Sequence, residues 1–406
     1  MKHGSETIHV VLAVSFVFAL ALMWTLPNVC RAADPKEIVV GTPVNRTGIH
    51  APFGIYMGWG YATLVSDINK KGGIYMSKYK KKLPVKLVLY DDESTPEKAA
   101  EGVQRLVLKD KVHALFSTGD PMNVIPCALI AEREGVPMSA AGVPIEAFLR
   151  AKPKGGWKWV WDLFFDELDM AKQQLLTVNE AQSNKKVALF TDNTPDGIIQ
   201  GNLWKKNAPE MGYTIVADNN FPVGTNDFGD MIRRAKEADA DIVISQMHTP
   251  DAISLWKQMR SLDYKPKAAF FEKGGEPVEW WLANGQAAQG TMAAGYWHPS
   301  LPYPGAKELK ERFEKDTGMA YSQHIADWYT AGRAMMDAIE RAGALDPKAI
   351  NAEMAKTNKT YEVGPVKYNQ DHVFALPVFM TQWQNGKVEI VYPAKLATAK
   401  LIYPLP

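Results

Sequence analysis

Residues 37–74, EIVVGTPVNRTGIHAPFGIYMGWGYATLVSDINKKGGI, constrain the fold of this chain more than any other stretch. Ile38, Val39 and Val40 form a short β-branched run that ends at Gly41. A polar loop follows, and then Tyr61, Leu64, Val65 and Ile68 recur at helical spacing. Asn69-Lys70-Lys71-Gly72-Gly73 reads as the helix end, because cations suit the negative end of a helix and glycine takes a left-handed cap. A strand that feeds a helix through a long loop is the first unit of an open parallel sheet. Its loop lies at the carboxyl edge, where such sheets bind ligands.

The pattern repeats. Strands are expected at Leu83–Tyr90, Val112–Phe116 and Val136–Ser139. Between them fall a helix that Thr95 caps and Pro96 starts, and another over Val124–Glu134. The stretch Lys152–Trp161, with its Pro and Gly punctuation, reads as a crossover. A second α/β set has strands at Val187–Thr191, Thr214–Asp218, Ile242–Ser245 and Ala268–Phe271, with helices near 197–211, 227–238 and 251–262. The chain is expected to re-enter the first lobe near Gly290–Tyr296, with a helix over Ile325–Ala342. Asn385-Gly386 makes a type I′ hairpin turn. The fold class is α/β: two Rossmann-like lobes with parallel sheets, joined by a multi-strand hinge as a clamshell. The expected boundaries are 33–158 for the first lobe, with 288–365 returning to it. The second lobe takes 159–287, with 366–395 returning, and 396–406 forms a tail.

Residues 1–32 read as a signal peptide, with Lys2 as a thin basic region, an apolar run from Val10 to Leu26, and small residues placing cleavage after Ala32. This implies export to the periplasm, with an uncleaved membrane anchor as the alternative. Removal takes two basic residues and one acidic residue from 46 and 45, leaving 44 of each. A balanced charge argues against nucleic acid or an anionic membrane surface as partner. It also leaves Cys127 as the one cysteine, in an apolar helical run that suits a buried, inert thiol.

The chain carries no phosphate-binding Walker loop, no H-E-x-x-H, no G-x-S-x-G and no paired C-x-x-C. Its eight histidines are scattered, and none pairs with another at metal-ligand spacing. Neither a metal nor a cofactor is expected, and catalysis is disfavoured.

The ordered series Pro43, Thr47-Gly48, Phe53-Gly54, Asp67-Ile68-Asn69 and Gly72-Gly73-Ile74 resembles the start of the branched-chain amino-acid type of periplasmic binding protein. The pair Asp91-Asp92, followed by Ser94 and Pro96, and later Gly135-Val136-Pro137 continue the likeness. The resemblance implies a type I periplasmic binding fold that delivers solutes to an ABC importer. It also implies a set of cleft residues. Phe53 stands where an aromatic covers the ligand, or else packs the helix start. Ser117, Thr118 and Gly119 match the loop that takes the ligand carboxylate, although Pro121 replaces a usual serine and Asp120 reads best as a helix cap. Ser139, Ala140 and Gly142 match a second close-approach loop, where Gly142 replaces a usual threonine. Asp196 and His248 occupy positions that are often aromatic. Glu272 matches the acidic partner of a ligand ammonium group in an ungapped alignment, and Gly274 takes that place after a two-residue shift. Lys273 equally suits an anion. The many tryptophans, among them Trp157, Trp159, Trp161, Trp280, Trp281 and Trp297, suit core packing or an aromatic-lined cleft.

The expected protein is an exported, monomeric solute binder. It captures an amino acid or a related amide or carboxylate and presents it to an ABC permease. A ligand-sensing module for a membrane receptor, or a binder of aromatic carboxylates, is the alternative.

Overall fold

In a computed structural model of the protein, residues 34–179 and 181–406 are described. The signal-peptide reading of residues 1–32 falls outside them. Among the described residues, no helix is long and apolar enough to cross a membrane.

Two sheets organise the chain. The first has six strands in the order Val373–Leu376, Val160–Phe165, Met138–Ala140, Ala114–Phe116, Ile38–Val44, Val85–Asp91, all parallel. The second has seven: Lys387–Tyr392, Phe379–Gln384, Met292–Gly295, Ala268–Lys273, Ile242–Met247, Lys186–Asp192, Thr214–Phe221. Its last five strands are parallel, and the Phe379–Gln384 and Lys387–Tyr392 hairpin adds an antiparallel edge. Asn385 and Gly386 turn that hairpin with positive φ of 52° and 81°, as an Asn-Gly turn requires.

Strand periodicity builds a core on each face of each sheet. In the first sheet Ala114 and Phe116 enter one cluster while Leu115 enters the other. In the second, Ala188 and Phe190 face one side, and Val187 and Leu189 the other. Strands buried on both faces need the continuous apolar runs that the sequence supplies.

The opening unit is fixed by close contacts. A Cβ on Gly54 would lie 1.8 Å from the carbonyl oxygen of Asn45, so only glycine lets the helix Ala51–Lys70 start against its own strand loop. Asp92 holds that loop by accepting both hydrogen bonds from Asn45 Nδ2, at 2.8 and 3.0 Å, and one from the Thr118 hydroxyl. Asp91 accepts from the Arg46 and Thr47 amides. The acidic pair is therefore a loop brace.

Sheet membership corrects the expected boundaries. Val160–Phe165 is the fifth strand of the first sheet, so the chain crosses to the second lobe after Phe165 rather than at 158/159. Met292–Gly295 stays in the second sheet, and the return to the first lobe comes after it, not at 288. Val373–Leu376 completes the edge of the first sheet although 366–395 was expected in the second. Short apolar strands give no sequence sign of which sheet they join.

Candidate ligand-binding site

The carboxyl edges of the two sheets face each other across one cavity. The first lobe contributes Asn45, His50, Phe53, Gly119, Asp120, Gly142, Phe164, His324 and Trp328, and the second contributes Met170, Asp196, Gln246, Glu272, Lys273 and Glu276. Three of these come from one loop, Glu272-Lys273-Gly274-Gly275-Glu276, at the end of strand Ala268–Lys273. A Cβ on Gly274 would lie 2.5 Å from Ala252 Cβ, and one on Gly275 2.7 Å from Phe271 Cβ, so the loop folds tightly only with both glycines.

Lys273 Nζ bonds to Asp120 Oδ2 across the cleft and lies 3.6 Å from Asp196 Oδ2. Burial opposes its charge, but Asp120, Asp196 and Asp192 hold the ammonium above the usual lysine range. Burial likewise works against the Asp120 carboxylate, and Lys273 and His50 overcome it and hold the group well below its ordinary value. Asp120 also caps the helix Pro121–Glu134 through the Met122 amide at 2.9 Å. Both partners have left-handed backbone, with φ of 74° at Asp120 and 62° at Lys273, a strain that side-chain residues hold only where the surroundings enforce it. Burial pushes the Asp196 carboxyl up to about 6 despite Lys273.

Beside this pair, His50 of the first lobe and His248 of the second stack with ring centroids 4.7 Å apart and Nε2 atoms 2.7 Å apart. Asp120 Oδ2 lies 3.4 Å from the one and 3.6 Å from the other. Asp192 Oδ2 is 3.2 Å from His248 Nδ1. Burial pushes His50 down to about 4.

At the other end of the loop Glu276 Oε2 meets His324 Nε2 at 2.9 Å. Asp327 Oδ2 lies 3.5 Å from His324 Nδ1, and the Tyr296 hydroxyl reaches both. Burial alone would lower the imidazole, but hydrogen bonds to Asp327 and Glu276 raise it to about 9. Phe53 packs edge-on to this ring at 4.9 Å, and Trp328 lies 5.3 Å from it.

Of the residues expected at the site, Phe53, Gly119, Gly142, Asp196 and Glu272 line the cavity. Ser117, Thr118, Ser139 and Ala140 stand behind its wall. The Ser117 hydroxyl bonds Ala141, that of Thr118 bonds Asp92, and that of Ser139 bonds Ala331 O at 2.7 Å. His248 borders an outer cavity instead, together with His50 and Thr194. Glu272 accepts from the Ala294 amide at 2.9 and 3.0 Å and from Gln174, and burial with Glu276 nearby pushes it up to about 8. The tryptophans singled out from the sequence pack elsewhere. Trp157, Trp280 and Trp297 lie in three different cores. Trp328, which sequence reasoning missed, is buried at the cavity with its indole Nε1 unpartnered. His50, Asn45, Glu276 and His324 were missed too. His50 lies in the loop of the opening unit, at the start of helix Ala51–Lys70, and no sequence signal singled it out.

The sequence profile of a family described as periplasmic binding protein matches residues 37–387. The chain belongs to this family. Its members are periplasmic solute-binding proteins. The chain is 23% identical over 400 residues to Leu/Ile/Val-binding protein homolog 8 of Brucella suis, covering 93% of this chain and 95% of that protein. The branched-chain amino acid transporter substrate binding protein LivJ of Streptococcus pneumoniae, solved in complex with isoleucine, shares the fold with a TM-score of 0.77. That match is 22% identical and spans 91% of this chain and all of LivJ. A solute binding protein of an ABC transporter from R. palustris, solved with 4-hydroxybenzoate, matches with a TM-score of 0.75 at 20% identity, over 90% of this chain and 98% of its own. The two-lobed architecture of the family agrees with the two sheets described above.

Proposed function

We propose that this periplasmic binding protein captures a small organic carboxylate with an apolar body and hands it to an ABC permease. It is read as a binder without catalytic turnover. The observation that carries the ligand class is the Trp328 indole N–H, buried and unpartnered beside Gly119 and Gly142 within an apolar wall of Phe53, Phe164 and Phe165. A buried donor without an acceptor is costly, and a ligand carboxylate would satisfy it. The indole would lie 3.4 Å from a Cβ at Gly142, a close approach that suits glycine at the position where the family resemblance expects a threonine.

The second polar end of the solute is assigned to Asp196, not Glu272. Asp196 Oδ1 is buried and unpartnered at the cavity, whereas the Glu272 oxygens already serve Ala294 and Gln174. A phenolic hydroxyl or an ammonium group can each donate to Asp196 Oδ1, and the four aromatic side chains favour a flat ring. Relatives solved with isoleucine and with 4-hydroxybenzoate span the same two chemistries.

A thermal-shift panel of aliphatic amino acids and hydroxybenzoates tests the reading. A true ligand at a hundred times its Kd adds about 2.7 kcal/mol of stability. Trp328→Phe keeps the ring and removes the donor, and it should weaken the hit about tenfold, the scale of a lost hydrogen bond to a charged group. Unchanged affinity in Trp328→Phe would remove the carboxylate assignment.

A further inference from the structure

We propose that His50, His248 and Asp120 form a binding site for one divalent transition-metal ion of the zinc(II) class, bridging the two lobes. The three ligand atoms already face one another. A tetrahedral ion with bonds of about 2.0–2.1 Å keeps its ligand atoms roughly 3.3 Å apart. The two histidine-to-Asp120 edges measure 3.4 and 3.6 Å, and the imidazole edge, at 2.7 Å, opens by about half an ångström to match. The ion takes the place of the proton that the two Nε2 atoms share in this contact, and that proton is released to solvent.

Three features beyond the triad point the same way. Asp192 Oδ2 and His248 Nδ1 are buried 3.2 Å apart with neither yet hydrogen-bonded. A small turn of the imidazole as it takes an ion on Nε2 would let Asp192 accept the Nδ1 proton, the arrangement common behind metal-bound histidines. Asp120 and Asp196 share the single ammonium of Lys273 while Asp192 flanks His248, so carboxylates outnumber cations around the triad and a divalent ion would offset the excess. Lys273 keeps Asp196 as a partner 3.6 Å away when the ion shares Asp120. The outer cavity touches both imidazoles, and its rim residues Asn193, Pro195 and Val223 are exposed, which provides a path from solvent. Because His50 and Asp120 belong to the first lobe and His248 to the second, the ion binds the closed state selectively and favours closure.

The site does not depend on the identity of the organic solute, so it is tested with metal alone. Untagged exported chain is stripped with a chelator and titrated calorimetrically with zinc chloride. One ion per chain is expected. His50→Ala and His248→Ala should each lower affinity at least a hundredfold, and Asp192→Asn about tenfold. Because the histidine variants could misfold, the wild-type chain is also loaded with cobalt(II), where intense visible bands of a four-coordinate ion are expected. No saturable zinc binding, binding unchanged in both histidine variants, or the weak cobalt spectrum of the hexahydrated ion would each overturn the site. A failed solute panel with intact zinc binding would overturn the transport reading alone.

Discussion

At one end of the Glu272–Glu276 loop a lysine meets an aspartate, and at the other a glutamate meets a histidine. Both contacts join the lobes, and in both the side chains are no more than 13% exposed. They differ in what supports them. Lys273 and Asp120 meet through two left-handed backbones and share one another with a ring of acids and imidazoles. Glu276 and His324 meet within an aromatic box, where Tyr296 and Asp327 satisfy the far nitrogen. The first contact keeps its charge across the ordinary pH range. The second carries an imidazole that can release its proton. The difference teaches that a clamshell can hold one permanent clasp and one conditional clasp on a single loop.

The largest effect is expected from Lys273→Met, which strands the buried Asp120 carboxylate. Removing one partner of a buried pair costs roughly 3–5 kcal/mol, and a clear fall in Tm should follow. The double change Lys273→Met with Asp120→Asn should recover much of the loss, because Asn removes the stranded charge while keeping the helix cap and tolerating the positive φ. A Lys273→Met chain as stable as the wild type would break the comparison at its stronger end.

The conditional clasp gives a smaller, pH-gated effect. The His324 imidazole titrates in the folded chain at about 9, above its ordinary value of 6.5. Its stabilising contribution is thus complete below the unfolded value and is lost as pH rises through about 9. Tm measured from pH 6 to 10 should fall in the wild type, and less steeply in His324→Gln. Parallel slopes would show that this histidine is not the titrating group.

Lys205 and Asp218 supply the baseline. They form a contact of 3.0 Å with both side chains well exposed. Surface pairs of this kind contribute little, so Lys205→Ala should leave Tm unchanged. A large drop there would mean that the interlobe contacts owe nothing special to burial.

The lobes and their parallel sheets were legible because strand–loop–helix units carry local signals: β-branched runs, capping residues and glycine turns. Gly54 could be read as part of a motif, though its cause, the Asn45 carbonyl, emerges only in three dimensions. Site residues divide on the same line. Loops at strand ends were found, but Ser117, Thr118 and Ser139 turned their hydroxyls into the scaffold, since linear position says nothing of side-chain direction. His50 and His248 are 198 residues apart, so no spacing rule could pair them, and the scattered histidines of the sequence converge only on folding. Trp328 was hidden in a helix whose apolar stripe reads as ordinary core.

The edge strand Val373–Leu376 has a consequence for biosynthesis. The first sheet needs it, yet more than two hundred residues separate it from its partner strand Val160–Phe165. A ribosome making this protein must therefore synthesise most of the second lobe before the first lobe can close its sheet. Domains that complete early can fold while synthesis continues. Here the flank of Val160–Phe165 waits unpaired through more than two hundred further residues, so the nascent chain offers an apolar strand edge for chaperones to shield.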